Sequence, residues 1–209
     1  MIRILTLCSG NVCRSPLAAM LLADRLDPAR FEVTSAGTSP LIGDQMPPEA
    51  QKLAARLGCT QAQDHRARTV TEDELSASDL IIGMARTHAN RAIQLQPSVV
   101  IRTYTLLGLA QTVAHIETQH VRTLHRQEPN DEAAILKTIT RMRGTVPRLH
   151  PAHLYDLEDP YGRSKQIYER SGRQIVAAID QIAEFFHHAL TPARSATPAM
   201  TTALIRRQP

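Results

Sequence analysis

The sequence predicts an α/β fold, with a four-stranded, parallel, doubly wound sheet and helices on both faces. Three observations lead there. Apolar runs of strand length alternate with amphipathic runs of helical length; residues that start and stop helices stand between them; and 209 residues, 43% hydrophobic and 21% charged, suffice for one domain with a buried core.

The first strand is IRILTL over residues 2–7, and PLAAMLLADRLD from Pro16 reads as a helix with proline at its first position and Ser15 as N-cap. FEVTSAGT (31–38) reads as the second strand, PPEAQKLAARLG (47–58) as a helix closed by Gly58, and SDLIIGM (78–84) as the third strand. Thr71 and Glu74 stand at capping-box spacing. RTHANRAIQLQ (86–96) suits a helix and SVVIRTY (98–104) a fourth strand. From 112 to 154 the pattern weakens, although DEAAILKTITRMR (131–143) carries a helical stripe at Ala134, Ile135, Ile139 and Met142. A long last helix follows from about Arg163, with Ile167, Gly172, Ile175, Ile179, Ile182 and Phe186 at helical spacing. Residues 189–209, rich in Pro, Thr and Ala without a period, are expected to be a disordered tail, which leaves a domain over 1–188.

In a parallel sheet of this kind ligands bind at the carboxyl ends of the strands, and CSGNVCRS (8–15) occupies such an end. Between a strand and a helix N-terminus, the backbone N–H groups of Ser9, Gly10, Asn11, Val12 and Cys13 converge on one point with the helix dipole behind them, which suits an oxyanion. Gly10 and Asn11 tolerate the positive φ that a tight curl needs. Arg14 adds a planar fork matching two oxygens of a phosphate. The same field favours the thiolate of Cys8, making it a nucleophile, and Ser15 is placed to donate a hydroxyl hydrogen bond to that sulfur.

Such chemistry needs an acid for the leaving oxygen, and LYDLEDPYG (154–162) offers Asp156, Glu158 and Asp159. Asp159 is preferred, because Pro160 biases its predecessor to an extended conformation that presents a side chain from a loop. The bland alternative is that these acids cap the long helix behind them.

Composition narrows the partners. The formal charge is +4, no basic run exceeds the Arg206–Arg207 pair, and aromatics are 3%, so no nucleic-acid partner is expected. No apolar stretch approaches membrane-span length and the N-terminal one is too short for a signal peptide, so a cytoplasmic protein with no membrane partner is expected. Three cysteines, two of them inside one loop, argue for a reactive thiol over a disulfide framework. His115, His120 and His125 are five apart and share no helix face, so no metal or other cofactor is expected.

LTLCSGNVCRSP, SAGT (35–38), DHRAR (64–68), SDLIIGM and EDPYG (158–162), in that order, resemble the low-molecular-weight protein tyrosine phosphatase family over about residues 2–111 and 155–188. The resemblance implies hydrolysis of phosphotyrosine, on a protein or in a small aryl phosphate, through a cysteinyl-phosphate without metal. Cys8 then matches the nucleophile, Arg14 the phosphate clamp, Ser15 the loop serine and Asp159 the acid. Ser35 and His65 match the residues that hold the loop asparagine, Asn11. Cys13, otherwise a small buried hydrophobe, is implied to form a reversible disulfide with Cys8 on oxidation.

Two departures stand out. No aromatic follows SAGT, so Leu41 or Ile42 must wall the crevice, with Tyr161 the one ring near the acid. Residues 112–154 read as an insertion, either a tolerated surface segment or a lid or docking surface beside the acid. Two other functions compete with hydrolysis: arsenate reduction, for which Cys59 is the one thiol outside the loop, and a non-catalytic phosphate- or phosphoprotein-binding module, which has no use for Asp159.

Overall fold

The computed structural model describes residues 1–127 and 132–191. Strands β1 (Ile2–Cys8), β2 (Phe31–Gly37), β3 (Leu80–Gly83) and β4 (Thr103–Thr105) form one parallel sheet in the order β2-β1-β3-β4. The helices are α1 (Arg14–Arg25), α2 (Pro48–Arg56), α3 (Glu72–Ala77), α4 (Arg86–Leu95), α5 (Leu106–Gln127), α6 (Glu132–Met142) and α7 (Lys165–Leu190). The chain leaves β1 towards β2 on one side and returns to β3 on the other. This reversal opens a crevice at the carboxyl ends of β1 and β3, where the loop after β1 sits.

Successive side chains of β1 and β3 enter different cores. Ile2, Ile4, Leu80 and Ile82 join the core shared with α1, α5 and α7, whereas Leu5, Leu7 and Ile81 join Val70, Leu75, Ala92 and Val99 on the face of α3 and α4. Strands covered on both faces need apolar residues at nearly every position, which is why IRILTL and LIIG are continuous runs. The Thr71–Glu74 capping box forms at the start of α3. A Cβ on Gly172 would lie 2.7 Å from Leu53 Cδ2, so this glycine lets α2 seat against α7.

The structure departs from the expected elements in four places. First, α1 starts at Arg14 with Cys13 as N-cap, so Ser15 lies in the first turn and is not the cap. Pro16 is third in the helix, where its missing N–H still costs nothing because the first four have no partner. Second, PSVVIR (97–102) is a 3-10 turn and β4 keeps only Thr103–Thr105. Pro97 starts the turn, Val99 alone of its apolar residues is fully buried, and Thr103 Oγ closes it on the Val99 carbonyl at 2.8 Å. Third, α5 runs through the boundary expected at residue 112, because Leu106, Leu109, Ala110, Val113 and Ile116 form one buried stripe against the core. Fourth, α7 reaches Leu190, two residues beyond the expected domain limit, and carries no acid in its first turn, so the 156–159 acids do not cap it. The helix expected over 131–143 is α6, which buries Ile135, Thr138 and Ile139. The rest of the expected tail, 192–209, lies outside the described residues.

Candidate active site

The loop is held by its neighbours on both sides. Thr38 N–H donates to the Cys8 carbonyl at 2.9 Å, Ser39 N–H to that of Ser9 at 3.1 Å and Leu41 N–H to that of Gly10 at 3.1 Å. A Cβ on Gly37 would stand 2.6 Å from the Ser9 carbonyl oxygen, so only glycine lets the segment after β2 pass so close. Asn11 takes the positive φ, 56°; Gly10, expected to share it, does not.

Asn11 organises the floor. Its amide nitrogen donates to Ser15 Oγ at 3.1 Å and to Ser35 Oγ at 3.0 Å, its Oδ1 accepts from Arg68 N–H at 3.0 Å, and its carbonyl lies 2.6 Å from His65 Nε2, which must be the protonated nitrogen. Burial lowers the pKa of His65, keeping it neutral for that task. Since Asn11 donates to Ser15, the Ser15 hydroxyl proton has two acceptors, the Cys8 sulfur at 3.0 Å and the Ala36 carbonyl at the longer 3.5 Å. Asn11 N–H reaches the same sulfur at 3.2 Å. Cys8 itself is 3% exposed. The sulfur is thus met by a backbone N–H and a hydroxyl on the inner side of the loop.

Arg14 is buried at the loop's far end. Its Nη1 donates to the Leu157 carbonyl at 3.1 Å, its Nη2 meets Asp159 Oδ2 at 2.6 Å, and its Nε, although buried, has no partner among the described residues. The acid segment is fastened to the sheet, since Leu157 N–H donates to the Met84 carbonyl at 2.9 Å just past β3. Each acid has a different neighbour. Asp156 is clamped by Arg86, whose bonds hold its carboxyl below the usual range although burial works the other way, and Glu158 pairs with Arg170 at 2.5 Å. Asp159 alone of these faces the loop, and Tyr161 N–H fixes its second oxygen at 3.2 Å.

Leu41 lies at the rim, about a third exposed, with its side chain 3.8 Å from where a Gly10 Cβ would stand; Ile42 and Tyr161 project into solvent. Val12 and Cys13 are buried. Cys8, Cys13 and Cys59 are all free thiols, and Cys13, 3.8 Å from the Tyr168 hydroxyl, has its pKa pushed up to about 12 by burial. Cys59 neighbours Asp24 and Arg25, at the other end of α1 from Cys8.

Sequence reasoning missed several partners: the Arg68 backbone, the Arg86 and Arg170 clamps, and His88, whose Nε2 lies 3.0 Å from Ser9 Oγ. The one available signal for His88 was its place in the first turn of the helix after β3, at the carboxyl edge of the sheet. Among the described residues, no group of three or more His, Cys, Asp or Glu is arranged to hold a metal, and no helix is long and apolar enough to cross a membrane.

Residues 3–117 match the model of a family described as low molecular weight phosphotyrosine protein phosphatase. The chain is 38% identical over 96 residues to the probable low molecular weight protein-tyrosine-phosphatase AmsI of Erwinia amylovora, covering 46% of this chain and 65% of that protein. It is 31% identical over 104 residues to a protein-arginine-phosphatase of Geobacillus stearothermophilus, covering 50% and 68%. The matched stretch thus spans about two thirds of these relatives' lengths. The fold also matches the crystal structures of AmsI (TM-score 0.61, 23% identity, 88% of this chain and 93% of that one) and of the YwlE arginine phosphatase from G. stearothermophilus (0.62, 24%, 90% and 94%).

Proposed function

Because the chain belongs to the low molecular weight phosphotyrosine protein phosphatase family, we propose that it hydrolyses phosphotyrosine or related aryl phosphates through a cysteinyl-phosphate, without a metal or other cofactor. The observation that carries this reading is the meeting of Arg14 and Asp159 at 2.6 Å over a loop whose floor is the Cys8 sulfur. A guanidinium, an acid and a thiol brought together from positions 8, 14 and 159 have no simpler use.

In the first step the Cys8 thiolate attacks phosphorus in line, and the phosphorus–oxygen bond to the phenol breaks. Arg14 and the amides of Ser9, Gly10, Asn11, Val12 and Cys13 hold the non-bridging oxygens, and the partnerless Arg14 Nε is one donor such an oxygen satisfies. Asp159 gives its proton to the leaving phenolate. In the second step water attacks the phosphocysteine, Asp159 takes the proton back, and the Ser15 hydroxyl stabilises the departing thiolate. The arriving dianion takes over Arg14 from Asp159 and so frees the carboxyl to carry the proton.

Residues 112–154 are read as an insertion beside the acid segment, and the protein as cytoplasmic. Cys59 sits at the far end of α1, about 15 Å along the helix from the loop. This argues against the thiol relay that arsenate reduction needs. Likeness to a protein-arginine-phosphatase, together with the aliphatic Leu41 rim, makes phosphoarginine the competing substrate for the same mechanism.

The test is a panel of peptides carrying phosphotyrosine, phosphoserine or phosphoarginine beside a small aryl phosphate, with Cys8→Ser as control. Hydrolysis of the aryl substrates is expected, with loss of activity in Cys8→Ser by about 10⁴-fold or more but phosphate binding kept. Undiminished turnover by Cys8→Ser sinks the mechanism, and turnover confined to phosphoarginine reassigns the substrate.

A further inference from the structure

His88 stands in the first turn of α4 and is 3% exposed. Its Nε2 lies 3.0 Å from Ser9 Oγ, while its Nδ1 is buried with no partner among the described residues. Together these fix the ring. A proton on Nδ1 would be a buried N–H with no acceptor, a situation native proteins avoid more strictly than an unused lone pair. An imidazolium would have the same orphaned donor and add a positive charge near Arg14. The species left is neutral, with its proton on Nε2, and the lowering of the His88 pKa to about 4, by burial first and Arg14 next, agrees.

The consequence falls on Ser9. A serine hydroxyl ordinarily donates or accepts, whichever its surroundings allow. One that already accepts from a ring N–H turns its own proton away from that ring. Ser9 is exposed, directly follows Cys8, and has its carbonyl committed to Ser39 on the β2 side. Its side chain therefore stands on the α4 side, where Arg14, Asp159 and Asp156 are the charged neighbours of His88.

We propose that His88 is a positioning residue that makes the Ser9 hydroxyl an obligate hydrogen-bond donor at the acid side of the loop, aimed at an oxygen of the bound phosphoryl group. This rests on reading the loop as a phosphate site. The pair supplies a donor that the loop amides and Arg14 do not, in a position close to the leaving group.

The experiment uses the full chain and two readouts: the dissociation constant for inorganic phosphate by calorimetry, and kcat and KM with p-nitrophenyl phosphate. Ser9→Ala, an exposed change that leaves the core untouched, and His88→Leu are each expected to weaken phosphate binding and lower kcat/KM about tenfold, the worth of one hydrogen bond to a charged group. The double variant is expected to be no worse than Ser9→Ala. His88→Gln, whose amide nitrogen replaces Nε2 as donor, is expected to recover most of the loss seen in His88→Leu. Unchanged phosphate binding in Ser9→Ala, or a His88→Leu loss that persists at full size in the Ser9→Ala background, overturns the proposal. Wild-type protein without turnover overturns the hydrolase reading instead, and the phosphate titrations still test the pair.

Discussion

The loop over residues 8–15 and the region from Pro97 to Tyr155 are built on different principles. In the loop, shape comes from hydrogen bonds. Asn11 alone engages Ser15, Ser35, His65 and Arg68. In the later region, shape comes from apolar stripes on α5 and α6 and a three-residue edge strand. A cleft of about 670 Å³ lies there, with Arg86, Tyr104, Arg143, Arg148, His150 and Tyr155 among its walls. A polar network fixes atoms to fractions of an ångström but fails when one member is lost. Apolar packing tolerates change and positions less strictly.

That contrast breaks if substitutions in the two regions act alike. The largest effect is expected from Asp159→Ala, which should slow turnover of an aryl phosphate about 10²- to 10⁴-fold in steady-state kinetics while phosphate still binds. Asn11→Ala should lower kcat/KM at least about tenfold and destabilise the fold by about 2–3 kcal/mol, because several buried groups lose partners together. Full activity in Asn11→Ala would show that the loop holds itself. In the later region Ile139→Ala should cost about 2–4 kcal/mol in denaturant unfolding yet change kcat/KM by less than about twofold. A kinetic loss as large as that of Asn11→Ala would erase the distinction.

Acid offers a subtler probe. His88 is neutral in the folded protein with its pKa lowered to about 4, whereas an unfolded chain takes up that proton near 6.5. Its contribution is therefore complete above pH 6.5 and lost as the pH falls towards 4, by about 3 kcal/mol at most. Unfolding curves for wild type and His88→Gln should diverge in that window, with the variant losing less. The smallest effect is expected from Arg143→Ala, which removes a guanidinium 4.8 Å above the Tyr104 ring and should cost about 0.5–1 kcal/mol in thermal unfolding.

The same contrast explains what the sequence makes legible. Cys8, Asn11, Arg14 and Ser15 are contiguous, so their chemistry declares itself in one short string, and Pro160 singles out Asp159. Ser35 and His65 were legible only through the family resemblance, because nothing local marks them. His88 and the Arg86–Asp156 clamp join residues 79 and 70 positions apart, and such contacts exist only once the sheet has brought β1, β3 and the acid segment together. The four strands follow in the expected order, yet the β-branched run at 99–101, which suits a strand, forms a 3-10 turn. Backbone bonding inside a 3-10 turn competes well where the neighbouring strand is only four residues long. The start of α1 lies two residues before Pro16, because proline is equally harmless at any position of the first turn and so does not mark the first residue.

The bond from Leu157 to Met84 ties the segment carrying Asp159, the proposed proton donor, to the end of β3, and the Arg86 clamp on Asp156 ties it a second time. A donor anchored so near its target reaches the substrate by turning about its own side-chain bonds and needs no swinging gate. Product escape then meets no closing step, so the rate of turnover is expected to be indifferent to solvent viscosity.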